Sequence, residues 1–420
     1  MGGGPAGATA AALLALQGIP VVVLDERSPT TPPLGQSLLP HALPILDRIG
    51  VHEAVRTLPH TREYRGFTFV AEDERRVTYR FDQALAPALP FAYQVRRDEF
   101  DGAVLNRARE LGAEVRSGWQ ACAPIWDGRR LTGMTVRDPE GEQHHLFARA
   151  ILDATGQAAF LASRMGWRFP YSRRRRTSLI TQFPIDEKQD DNAGDRVIVH
   201  RGDGWIWFVP LSGGICLAAA TVDEAHGGSL SENPEGIFHA LVENTPYARN
   251  RFSRAEGMPA VQVSRVQSFR VMRMAGDGFA LLGDAAGFLD PLCATGIYQA
   301  LASGASAAED VADALARHGR VDGSDFGPTI SLTRSMFRAF FAWNRALEDP
   351  RFLAFLFAPP RRASLSAGLA SLLAGDVVER GSWRARARFL ALRLLVFAHI
   401  RTGRPGNPRS QTSALPRDEM

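Results

Sequence analysis

Three glycines near the first residue, Gly2, Gly4 and Gly7, stand in the spacing G-x-G-x-x-G. The first glycine of such a set allows a tight turn, the second lets backbone approach a pyrophosphate, and the third lets a helix pack on a strand. The helix that follows, opening on Pro5 and Ala6, would turn free N–H groups and the positive end of its dipole towards the phosphates. A glycine-rich loop can show the same spacing by chance. Here Asp25 ends the apolar run Pro20-Val21-Val22-Val23-Leu24-Asp25, at the distance of about 20 residues where a ribose-binding carboxylate belongs. Glu26 is the neighbour that would serve in its place. Together these residues point to dinucleotide binding.

Three further segments narrow the dinucleotide to FAD. Val95-Arg96-Arg97-Asp98-Glu99-Phe100-Asp101 opens a helix, and Ile151-Leu152-Asp153-Ala154-Thr155-Gly156 ends a strand. Leu282-Gly283-Asp284-Ala285-Ala286-Gly287-Phe288-Leu289-Asp290-Pro291 leads into a long helix. Each alone is an ordinary strand, turn and helix; the set is informative through its order behind the glycine fingerprint.

These motifs resemble those of the flavin monooxygenase superfamily, and most closely its flavin-dependent halogenase branch, over nearly the whole chain. Gly35-Gln36-Ser37-Leu38-Leu39-Pro40 is similar to that branch's GESLLP element, and Gly202-Asp203-Gly204-Trp205-Ile206-Trp207-Phe208-Val209-Pro210 to its WxWxIP signature. No His or Cys sits in a recognisable flavinylation motif, so FAD is expected to be held non-covalently, and the resemblance implies Gln36, Ser37, Arg97, Gly283 and Asp284 at the cofactor. Asp284 would sit at the ribityl chain, and Pro291, Thr295, Gly296 and Ile297 beside the isoalloxazine. A helix starting at Gly296 would aim its dipole at flavin N1 and O2, where reduced flavin gathers negative charge. Trp205 and Trp207 lie two apart on a strand and so face one side. They read as core or cavity-wall aromatics and, within the resemblance, as a wall of the substrate cavity.

The chain departs from the branch at three positions. Halogenases carry a lysine in a K-x-G-x-x-F context, and the matching stretch Tyr64-Arg65-Gly66-Phe67-Thr68-Phe69 has Tyr64 in its place. Arg65 is no substitute, since a guanidinium stays protonated and is a poor nucleophile. The sequence has a single lysine, Lys188, which lies outside the motif and reads as a solvated loop residue. A glutamate of tryptophan-halogenating members is replaced by Cys293, and the glutamate of GESLLP by Gln36. Tyr64, His41 and Cys293 are the candidate catalytic groups. Against them stand plainer readings: a satisfied structural histidine and a buried inert thiol.

The elements that must position these residues follow from periodicity. An Ala/Leu-rich helix runs to Gly18 and a buried parallel strand covers 20–25. Arg65–Phe81 alternates as a strand does, Asp98–Leu111 has helical spacing, Ala148–Asp153 is a second buried strand, and Thr177–Thr221 is β-rich. A strand at 280–283 precedes a helix from Gly296 to about Leu315, and the chain beyond Ser331 is helical and Arg-rich. The fold expected is α/β: a Rossmann-type FAD-binding domain, p-hydroxybenzoate-hydroxylase-like, with an inserted β-rich substrate domain and a helical C-terminal region. The FAD-binding domain is discontinuous, over 1–55, 90–165 and 265–320. The substrate domain takes 56–89 and 166–264, the helical region 321–400, and a disordered tail 401–420. Almost nothing precedes the glycine fingerprint, so the strand that should lead into it is expected to begin upstream of Met1.

Composition bounds the function. The chain has 420 residues, 45% of them hydrophobic and 22% charged, with a net charge of only +4, which argues against a nucleic-acid partner. Cys122, Cys216 and Cys293 lie far apart and form neither a disulfide framework nor a metal-binding CxxC, so no metal is expected and the compartment reads as a reducing cytoplasm. The late apolar run 389–400 is too short to span a bilayer. There is no second G-x-G-x-x-G for a nicotinamide domain. Reducing equivalents would come from a separate flavin reductase or from NAD(P)H bound directly. The run Arg173–Arg176 reads as a solvated turn or as a grip for a carrier protein. These readings describe an FAD-dependent oxidoreductase, monooxygenase-like, acting through a flavin C4a-hydroperoxide on an aromatic or carrier-linked small molecule. Its alternatives are a flavin-dependent halogenase, a geranylgeranyl-reductase-like reductase or dehydrogenase, and an FAD-binding protein without turnover.

Overall fold

The computed structural model describes residues 1–26, 35–85, 89–171, 176–185, 194–223, 233–252, 260–290, 292, 294–358 and 363–376. The first helix, Pro5–Leu16, is apolar nearly all round, with Ala8 and Ala10 to Leu14 buried. A helix of that kind must be covered on all sides. The long helix Thr295–His318 lies against it closely enough that a Cβ at Gly304 would sit 2.4 Å from the Ala6 carbonyl oxygen. The helix expected from Asp98 spans Arg97–Glu110 and packs against the first helix too.

The parallel sheet beneath these helices is in two parts. Val22–Asp25 pairs with Glu114–Ser117, and Ile151–Asp153 pairs with Phe279–Leu281, both in parallel. Met1 and Gly2 run between the two parts. The Met1 amino group donates to Leu152 O at 2.8 Å, Ala154 N–H to Met1 O at 2.9 Å, and Gly2 N–H to Leu24 O at 2.8 Å. An antiparallel meander (Gln120–Asp127, Arg130–Arg137, Gln143–Phe147), which periodicity had not revealed, packs beside the second part.

The second layer is a seven-stranded sheet ordered Gln262–Val266, Arg176–Pro184, Ile215–Asp223, Gly204–Leu211, Arg196–Arg201, Gly66–Val70, Arg76–Arg80. Only the contact between Arg196–Arg201 and Gly66–Val70 is parallel. The stretch expected as one alternating strand, 65–81, is thus a hairpin of two. Alternation sorts this sheet between two cores. Trp205, Trp207, Val209 and Leu211 face the core shared with the cofactor-side helices, while Ile206 and Phe208 face a separate one. The second core is closed by helices Pro234–Glu243 and Pro246–Phe252, through Phe238, Val242 and Tyr247. With both faces covered, the Gly204–Leu211 strand is buried from Trp205 onward.

The helical C-terminal region comprises Gly327–Ala346, Pro350–Leu356 and Ala363–Ala374 among the described residues. Tyr79 anchors it to the sheet, its hydroxyl donating to Leu356 O at 3.0 Å. No helix among the described residues is long and apolar enough to cross a membrane. The tail 401–420, Lys188 and the run 172–175 lie outside the described residues.

Candidate active site

One cavity of about 510 Å³ runs from the glycine turn to the seven-stranded sheet. At its near end Gly2 holds φ +93°, a conformation open to glycine, and a Cβ there would fall 2.2 Å from Ala154 O. A Cβ at Gly7 would fall 2.0 Å from Gly2 O, so Gly7 serves the turn and does not line the cavity. Gly4 is different. No heavy atom lies within 4 Å of where its Cβ would be. Open space therefore stands at the start of the first helix, beside backbone N–H groups with no side-chain cap. That is the cradle a pyrophosphate fits, and Pro5 and Ala6 line it as well. Asp25 closes the turn, accepting from Gly3 N–H at 3.3 Å, and lines the cavity beside Glu26, itself held by Gln120 at 2.7 Å.

Midway along, Gly283, Asp284, Thr295, Gly296 and Ile297 form one wall. Asp284 faces the N-terminus of the long helix, its Oδ1 about 4 Å from a Cβ placed on Gly296. Burial pushes its carboxyl up to about 6, against the opposing pull of Arg97. The helix starts after Ala294, which adopts φ +57° and has no capping side chain. A non-glycine residue there costs on the order of 1 kcal/mol. The uncapped N–H groups meet the cavity, and their dipole favours negative charge developing within it. Across from this wall Arg97 makes a two-pronged ion pair with Asp101 at 2.9 and 2.8 Å and donates to Gln36 Oε1 at 3.3 Å.

At the far end the floor is the sheet. Trp207 lines the cavity, whereas Trp205 packs against His200 at a ring separation of 4.7 Å and does not. The two share a face, as their spacing requires, yet only one reaches the site. Sequence reasoning passed over Arg196, Asp101 and Ser178, which also line the cavity. Asp101 was signalled by its place four residues after Arg97 on a helix. Arg196, an arginine opening an apolar strand, was a weaker signal.

Among the proposed catalytic groups, Tyr64 is fully buried away from the cavity. Its ring packs edge-on against Phe67 and Phe81, and its hydroxyl donates to Leu38 O at 2.5 Å. Desolvation raises its pKa far above the ordinary phenol range, so it is held neutral. His41 also stands outside the cavity. Its Nδ1 lies 3.0 Å from Ala374 O and its Nε2 3.9 Å from the Asp376 carboxylate, so it ties residue 41 to the last described helix. Ser37 sits behind the wall, in contact with Arg196. Cys293 and Pro291 lie outside the described residues.

A family model described as FAD binding domain matches residues 1–324. A tryptophan 2-halogenase of Chondromyces crocatus is 28% identical over 339 residues, 77% of this chain and 62% of that protein. The chain thus spans less than two thirds of that relative's length. A 1H-pyrrole-2-carbonyl-[peptidyl-carrier protein] chlorinase of Pseudomonas fluorescens is 25% identical over 75% of each chain. A flavoprotein/dehydrogenase from Cytophaga hutchinsonii shares the fold with a TM-score of 0.84 at 23% identity, over 95% of this chain and 97% of that one. The flavin-dependent brominase Bmp2 does so with 0.82 at 21%, over 96% and 98%.

Proposed function

The chain belongs to the FAD-binding domain family, and from that premise we propose that it is a halogenase-type flavoenzyme acting on an electron-rich aromatic small molecule, free or carrier-linked. It is an FAD-dependent oxidoreductase of the halogenase-like branch. This places halogenation ahead of the hydroxylation that the sequence motifs first favoured. The reading rests on one observation: a single cavity joins the pyrophosphate cradle at Gly4 to the wall at Trp207, in a chain similar over 77% and 75% of its length to a tryptophan 2-halogenase and a carrier-linked pyrrole chlorinase.

The chain's own residues divide the work along that cavity. Gly2 to Ala6 hold the pyrophosphate by backbone N–H groups and helix dipole, and Asp25 takes the ribose hydroxyls. Arg97, oriented by Asp101, and Asp284 hold the middle of FAD, which when bound supplies two-electron redox chemistry and, once reduced, reactivity towards O₂. The N-terminus of the Thr295–His318 helix stabilises negative charge at that point. Trp207, Ile180 and Leu217 form an apolar floor that keeps bulk water from the reacting centre.

Hydroxylation or dehydrogenation without halogen transfer is the second reading. It is favoured by Tyr64, sealed and neutral where the family motif has a lysine, and by Lys188 being the only lysine in the sequence. The test supplies reduced FAD, O₂ and bromide with a panel of indoles, phenols and pyrroles, and follows products by mass. Brominated product is expected, and it should persist in Lys188→Ala. Oxygenated or dehydrogenated product alone would replace the first reading by the second.

A further inference from the structure

The segments 156–171 and 260–276 hold five arginines and no acidic residue, and the sequence continues from the first of them into Arg173–Arg176. In a chain whose net charge is only +4, positive charge is therefore gathered here. The strand Arg168–Pro170 pairs antiparallel with Phe269–Val271, Phe169 opposite Arg270, and Met272 N–H donates to Trp167 O at 2.9 Å. Opposite residues and every second residue share a face, so Phe169, Arg270 and Met272 stand together on the outer side of this ribbon. Phe169 is 42% exposed and Met272 65%, while Phe269 and Val271 turn inward to a core. Met165, just after the helix Phe160–Arg164, is a third exposed apolar side chain. Among the described residues no carboxylate pairs with Arg164, Arg168, Arg270 or Arg273. Each guanidinium lies over a ring instead: Arg168 4.0 Å from the centre of Phe269, Arg164 5.0 Å from Phe160, Arg273 5.6 Å from Trp167 and Arg270 5.8 Å from Tyr171.

A ring attracts a cation without accepting a full hydrogen bond from it, so these guanidinium forks keep their donors for carboxylate oxygens. The rings also hold the heads in place, which lowers the entropy lost when a partner docks. Arginine, methionine and aromatic residues are the side chains enriched at protein interfaces, where lysine is depleted. The apolar groups lie singly among cations on a flat ribbon, unlike the continuous apolar helix face that beds into a bilayer. The chain beyond residue 376 carries nine arginines against three acidic residues, so its charge has the wrong sign to cover this face. We propose that the outer face of the ribbon is a docking surface for an acidic protein, whose Asp and Glu carboxylates pair with Arg270 and Arg273 around an apolar contact at Phe169 and Met272. The third strand of the same small sheet, Gly287–Phe288, lines the large cavity, as does Phe160 under Arg164. The docked protein thus rests against elements that wall the cavity.

The experiment uses the full chain and follows the fluorescence anisotropy of a labelled amphipathic peptide built of glutamate and leucine. A glutamine/leucine peptide, without charge, and a glutamate/serine peptide, without the apolar face, are the controls. The wild type should bind the glutamate/leucine peptide at least about tenfold more tightly than either control, and more weakly as salt rises. Arg270→Glu with Arg273→Glu should abolish that binding. Arg56→Glu with Arg109→Glu, an equal change of charge at exposed positions on the helices His52–Arg56 and Arg97–Glu110, should leave it within about twofold. Phe169→Ser with Met272→Ser, which keeps the charge, should lower it to the level of the glutamate/serine peptide, and it serves as the second variant should the charge reversal fail to fold. Phosphatidylglycerol vesicles and a DNA duplex are measured beside the peptide. Tighter binding to either would overturn the assignment in favour of a lipid surface or a nucleic acid. So would a wild type that binds no peptide, or an equal loss in the Arg56 and Arg109 pair. Salt-dependent dimerisation of the wild type, abolished by the Arg270 and Arg273 pair, would overturn it too, since the occupant would then be a second copy.

Discussion

Replacing Asp284 by asparagine should stabilise the FAD-free protein at alkaline pH while weakening its hold on FAD. Burial raises the Asp284 carboxyl from its ordinary 3.8 to about 6, with Arg97 acting in the opposite direction. The folded state therefore binds this proton more tightly than the unfolded chain does. Between about pH 4 and pH 6 stability falls as pH rises, because ionisation is opposed in the fold and free in the unfolded chain. The penalty is complete above about pH 6 and absent below about pH 4. A gap from 3.8 to about 6 corresponds to about 3 kcal/mol at 1.36 kcal/mol per tenfold. Asp284 opens partly onto the cavity, where water softens the penalty, so the expected gain is about 1–3 kcal/mol. Urea unfolding of FAD-stripped wild type and Asp284→Asn at pH 8 should show that difference, and at pH 4.5 most of it should vanish. In the proposed site this carboxylate accepts hydrogen bonds from ribityl hydroxyls, so FAD affinity at pH 8 should fall at least about tenfold, the loss of one charged acceptor. A variant no more stable than wild type at pH 8, or a gain that is independent of pH, would refute the reasoning.

The glycine fingerprint offers a paired test: the Cβ of Gly4→Val has no protein atom within 4 Å, so this variant should fold yet lose FAD, whereas the Cβ of Gly7→Val falls 2.0 Å from Gly2 O and should lower stability by more than about 2 kcal/mol. Melting curves with and without FAD separate the two, and a Gly4→Val protein that still binds FAD would contradict the placement of the pyrophosphate. Tyr64→Phe removes a hydroxyl bonded to Leu38 O and should cost about 1 kcal/mol in denaturant unfolding, with turnover per folded molecule unchanged. A fall in kcat of tenfold or more would show that Tyr64 takes part in the chemistry.

Much of this architecture was written locally. The glycine spacing, Asp25 at the end of the next strand and the apolar run between them are short-range patterns, and the backbone forms the turn, helix and strand they imply. Alternation put Trp205 and Trp207 on one face, and that holds because strand geometry leaves no other choice. Long helices at Arg97–Glu110 and Thr295–His318 were legible from their period. Periodicity did not reveal the helices Pro234–Glu243 and Pro246–Phe252, whose reason for being is to close a core on the far side of the sheet.

Which residues meet is another matter. His41 stood among the candidate catalytic groups with a structural histidine as its plainer reading; the fold brings it to Ala374, a partner 333 positions away. Tyr64 occupies the position of the motif lysine, and in the fold it is walled in by Phe67 and Phe81 and bonded to Leu38. Arg196 had no motif at all; it entered the site because its strand pairs antiparallel with the Gly204–Leu211 strand, which sets it over Trp207. Met1 and Gly2 link the two parts of the parallel sheet through hydrogen bonds to residues more than 20 and more than 150 positions on. Local patterns determine backbone conformation because turns, helices and strands are set by neighbours a few residues apart. Whether a polar side chain becomes a ligand, a clamp or a sealed core group depends on the burial and partners that distant segments bring, and those came from the tertiary structure alone.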